Sequence, residues 1–136
     1  MIARTFSPLL GFLRWFFGER AAGLDVVLAF PAACWAALLI AEPETVERGN
    51  WSNLALISHA GWLAIMIGLA VVHLVCVVRP LRLLRVCAAA ASAWAWLFIS
   101  YAIGRNGITL GTIAHLEIGL IALLGGLHVY GLREPR

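Results

Sequence analysis

Residues 54–78 are a nearly continuous apolar run that stops at RPLRLLR, residues 79–85. As a helix, that run rises about 37 Å at about 1.5 Å per residue, more than the roughly 30 Å hydrocarbon core of a bilayer. It is read as a membrane span. Arg79, Arg82 and Arg85 follow it within one short turn, and the positive-inside tendency puts that turn in the cytoplasm. The direction of every other segment follows from it.

Composition agrees with this reading. With 62% hydrophobic and 12% charged residues, and a mean hydropathy of +0.92, the chain lies well outside the roughly one-quarter charged composition of soluble domains. Its 136 residues are expected to form a single membrane domain of four spans without a separate catalytic domain. All 10 basic side chains are arginines, for a net charge of +3. They sit at the ends of apolar runs, which reads as topology at a lipid bilayer and not as nucleic-acid binding. Cys34, Cys76 and Cys87 lie in or beside apolar runs, are odd in number and show no CxxC spacing. Neither a disulfide framework nor a zinc site follows; they are read as small hydrophobes, with palmitoylation of Cys76 or Cys87 as the alternative.

Taken in order, the chain is expected to be all-α: an integral membrane four-helix bundle preceded by an interfacial amphipathic helix. That first helix, residues 7–20, starts at Ser7-Pro8 and carries Ser7, Gly11, Arg14 and Gly18 at helical spacing among leucines and phenylalanines. No signal-peptide cleavage pattern follows it, so retention is expected. The spans are placed at residues 21–41, 54–78, 83–103 and 108–131. Pro31 interrupts the first span, and Asp25 sits about one turn inside it, where the helix dipole favours an aspartate; an ion-pathway role is the alternative. Residues 42–53, EPETVERGNWSN, form the one polar loop of any length, with turn residues Pro43, Gly49 and Asn50 and an interfacial Trp51. Ala60, Ala64 and Gly68 make a strip on the second span where another backbone can approach, and the small residues Ala88 to Ala91 open the third. Gly104, Arg105, Asn106 and Gly107 make a tight turn. Arg4, Arg14, Arg20, Arg79, Arg82, Arg85, Arg133 and Arg136 then fall inside, against Arg48 and Arg105 outside. This places both termini in the cytoplasm and the chain in the inner membrane.

All four histidines fall in two spans that the topology makes parallel, His59 and His73 in the second, His115 and His128 in the fourth. His59 and His115 share one depth, His73 and His128 another. Paired histidines on facing helices hold b-type haem in membrane bundles, and the arrangement resembles the di-haem four-helix core of cytochrome b. The resemblance implies haem b bound by these histidines for electron transfer. At about 100° per residue, His59 and His73 return to within about 40° of one face, whereas His115 and His128 lie about 140° apart. A bulge at Gly125-Gly126 would be needed to align them. The competing reading puts His59 and His128 near the interfaces and lets His73 and His115 hydrogen-bond across helices.

Glu117 stands near the middle of the fourth span, where an ionised carboxylate costs roughly 2.5 to 3.5 kcal/mol on insertion scales. It is expected to face the bundle or another subunit, or to be protonated. Ser92, at a comparable depth on the third span, is its candidate partner, with His59 and His115 at nearby levels. A structural interhelical bond is the first reading and a proton or small-molecule carrier the second. No nucleophile elbow, phosphate loop, HExxH or paired carboxylate is present, so catalysis is not expected. Gly61-Trp62 through His73-Leu74, the arginine-rich turn, Trp94 to Tyr101 and Gly111-Thr112 resemble the small four-span membrane proteins of tailed phages and prophages, some of them holins. That resemblance implies a non-catalytic accessory membrane protein acting by helix association, as a homo-oligomer or within a larger membrane complex.

Overall fold

The computed structural model describes residues 22–47, 49–79 and 81–131. The expected interfacial helix at 7–20 and the chain ends lie outside them. Four helices are each long and apolar enough to cross a bilayer: α1 (Ala22–Ala41), α2 (His59–Val78), α3 (Arg82–Gly104) and α4 (Leu110–Gly131). Among the described residues there is no strand, and the chain is an all-helical, multi-pass membrane protein. At 1.5 Å per residue, even the 20-residue helices reach about 30 Å.

α1 packs along α2 and α3 along α4, so the molecule is two helical hairpins set side by side. Glycine permits the closest approaches. A Cβ at Gly119 would lie 2.8 Å from the Leu97 side chain, and one at Gly126 would lie 3.0 Å from Ala89. Gly125 lets Leu24 of α1 reach α4 in the same way, a Cβ there meeting it at 2.5 Å. α1 runs through Pro31 without ending. The expected span at 54–78 is shorter at its start. Residues Gly49–Leu56 form a 3-10 segment, and α2 begins at His59 after Ser58, whose hydroxyl accepts from the Gly61 N–H. Serine at that position satisfies a helix-terminal donor better than an apolar residue does, so the helix starts there. Gly107, at φ +123, closes the turn from α3 to α4 in a conformation that glycine favours. Thr109 and Thr112 then cap α4 reciprocally through their hydroxyls and backbone N–H groups, each at 3.2 Å.

The connection between α1 and α2 is folded onto the bundle rather than extended away from it. Val46 and Leu54 are fully buried beneath it. It also serves helix ends that would otherwise have free carbonyls. The Leu39 carbonyl would bond to the N–H of residue 43, but that residue is proline and has none. His59 Nε2 donates to Leu39 O instead, at 2.9 Å. Asn53 likewise donates to Ala102 O near the end of α3, at 2.9 Å.

The core is unevenly divided. Toward this loop, Trp35, Leu39, Trp62, Met66, Trp96, Ile99 and Ile103 make a large apolar cluster. Toward the α2–α3 turn only Leu28, Ala93 and Ala122 form a small one. Polar side chains fill the remaining interior there.

Candidate functional site

Near the α2–α3 turn, Asp25, His73, Ser92 and Arg85 are buried together, Asp25 and His73 at 0% exposure. Asp25 enters from the first turn of α1 and Arg85 from the first turn of α3. They form an ion pair with Arg85 Nε 2.6 Å from Asp25 Oδ2. Asp25 Oδ1 lies 2.9 Å from His73 Nδ1, and His73 Nε2 lies 2.9 Å from Ser92 Oγ. With the carboxylate accepting, Nδ1 carries a ring hydrogen, and the serine hydroxyl, which can donate or accept, meets Nε2. Arg85 also donates to Cys76 O at 2.8 Å. In a helix that carbonyl would serve the N–H of residue 80, which is proline. One arginine thus neutralises the aspartate of α1 and caps a carbonyl of α2.

The order Asp–His–Ser is that of a hydrolytic triad, but the surroundings are not. Ser92 sits mid-helix at 0% exposure, where helix bonds occupy the neighbouring N–H groups, so none is free to hold an oxyanion. What the chain of bonds does is tie α1, α2 and α3 across the two hairpins. Each member is desolvated and paired, the condition under which buried charges are tolerated.

At the other end, His115 is held by different chemistry. Trp35 Nε1 donates to His115 Nε2 at 3.0 Å, and His115 Nδ1 donates to Gly111 O at 2.5 Å. The indoles of Trp35, Trp51 and Trp96 surround the imidazole at centroid distances of 5.5, 5.9 and 5.6 Å. Trp35 and His115 lie 80 residues apart in sequence, and their bond joins α1 to α4. The neighbouring Trp96 Nε1 is buried without a hydrogen-bond partner.

Other residues singled out from the sequence point outward. Glu117 and His128 on α4 are exposed, as are Ala60, Ala64 and Gly68 on α2. The α2 strip therefore faces away from the bundle, and the close internal contacts are made by Gly119, Gly125 and Gly126 of α4 instead. Ala88 is buried in α3, and Ala91 is exposed. Ser92 belongs to His73, not to Glu117. Among the described residues Glu117 has no hydrogen-bond or ion-pair partner. The histidines do not present themselves as a ligand set: His73 and His115 each use both ring nitrogens in protein hydrogen bonds, and His59 uses Nε2. Iron would have to displace those bonds.

Sequence reasoning identified Asp25, His73, Ser92 and His115 singly but joined none of them to its partner. It missed Arg85 and Trp35 as members. The proline four residues beyond each orphaned carbonyl was the available signal for Arg85 and His59. No protein-family model, curated protein or solved structure matches this chain.

Proposed function

We propose that the protein is a non-catalytic inner-membrane protein with both termini cytoplasmic, acting by association of its helices with those of other membrane proteins. It serves as an accessory subunit or as a holin-like oligomer. The observation that supports this most is Glu117. The buried residues of α4 are His115, Gly119, Ala122, Gly126 and Val129. At about 100° per residue, Glu117 lies within about 20° of the direction opposite to their centre. It stands about 10 Å in from the start of α4, too deep for its short side chain to reach an interface, and its outward neighbours are Ile113, Leu116, Leu120, Ile121 and Leu124. An ionisable group placed there needs another helix to cover it.

The test is the size of the complex extracted from cell membranes in mild detergent. Glu117→Leu is expected to shift the protein to a smaller species; an unchanged size overturns the reading. An electron-transfer subunit holding haem b predicts a Soret band that is lost in His73→Ala, whereas the association reading predicts a colourless preparation. A carrier using Glu117 predicts uptake abolished by Glu117→Gln.

A further inference from the structure

The outward face of α4 carries a second regularity. Leu110, Ala114, Glu117, Ile121, Leu124 and His128 recur at alternating steps of four and three residues, and all six are exposed. This is the seam spacing by which two helices pack side by side in a left-handed pair. Glu117 and His128, eleven residues apart, fall within about 20° of one line and about 16 Å from each other along it. Among the described outward residues of this helix they are the two that are acidic or histidine, and none is arginine or lysine.

We infer that this seam is where a second copy of the chain docks, α4 against α4 in parallel about a two-fold axis normal to the membrane. The inference rests on the association reading above and names its partner. The arginine distribution orients every copy the same way, so two α4 helices meet in parallel and each seam residue faces its own counterpart. Both polar residues suit that arrangement. Two apposed carboxyls in an apolar setting cannot both ionise, and the protonated one donates to the other. A neutral imidazole carries one donor and one acceptor, so it too complements itself. Arginine or lysine on the seam would repel its counterpart, and neither occurs there.

The experiment uses the full chain in lipid nanodiscs with Cys34, Cys76 and Cys87 replaced by alanine. Leu124→Cys, on the seam, is expected to oxidise to a covalent dimer; Leu123→Cys, exposed but about 100° away, is not. Glu117→Leu should weaken dimerisation by roughly 5- to 30-fold, the equivalent of one interhelical polar contact, and Glu117→Gln, which also complements itself, should restore it. Equal crosslinking at 123 and 124, or a dimer indifferent to Glu117→Leu, overturns the inference. If the pure protein stays monomeric while Glu117→Leu still shrinks the complex from cell membranes, this inference falls and the association reading stands. If neither changes, both fall.

Discussion

The two buried histidines occupy matching places at opposite ends of the bundle and are held by opposite means. His73 lies five residues from the end of α2 and His115 five residues from the start of α4. Around His73 the contacts are ionic and reach three helices through Asp25, Arg85 and Ser92. Around His115 they are three indoles and a backbone carbonyl. The difference follows from core volume. The loop end is filled by Trp35, Trp62 and Trp96, and one ring bond there only trims a packed apolar cluster. At the other end the buried apolar side chains are small, mostly alanines with Leu28, Cys76 and Val129, and the charged group adds a tie between the hairpins. Hydrogen-bond roles differ as well: Ser92 can donate or accept, while Trp35 can only donate.

The strongest way to break this comparison is to remove one charge. Asp25→Asn strands Arg85 in the interior and is expected to cost about 3–5 kcal/mol, read as a lowered midpoint in a denaturant titration in mixed micelles. Adding Arg85→Leu should recover part of that loss, because the uncompensated charge is gone. Trp35→Phe at the other end keeps a ring against Trp51 and Trp96 but deletes the N–H that reaches His115, for an expected loss of about 1 kcal/mol. Equal losses from Asp25→Asn and Trp35→Phe would erase the distinction between the ends. The finest probe changes no stability at all. Nitrogen NMR should find no hydrogen on Nε2 of His115, because the Trp35 N–H that meets it can only donate; an Nε2–H signal from His115 would contradict its hydrogen-bond pattern.

Much of the architecture was legible beforehand because a bilayer imposes it. Apolar runs of twenty or more residues have few alternatives to a spanning helix, and three of the four expected spans, 21–41, 83–103 and 108–131, begin and end within two residues of α1, α3 and α4. The start of α2 was misplaced because residues 54–57 are apolar enough to extend a span, whereas Ser58 and the folded loop decide otherwise. The small-residue strip on α2 was read as a place where another backbone can approach, without saying which; that it turns away from the bundle is decided by the fold, because spacing along one helix reveals which residues share a face but not what that face meets.

By itself the amino-acid order determined four membrane helices, their alternation, the arginine-rich turn and the presence of costly polar residues within the spans. Hydropathy and charge are local properties, and a bilayer acts on them segment by segment. Only the tertiary structure decided that Asp25 belongs to Arg85 and His73, that Trp35 belongs to His115, and that Glu117 turns outward. Each depends on the rotation of one helix against another, which is set by where glycines let backbones close and where large indoles hold them apart.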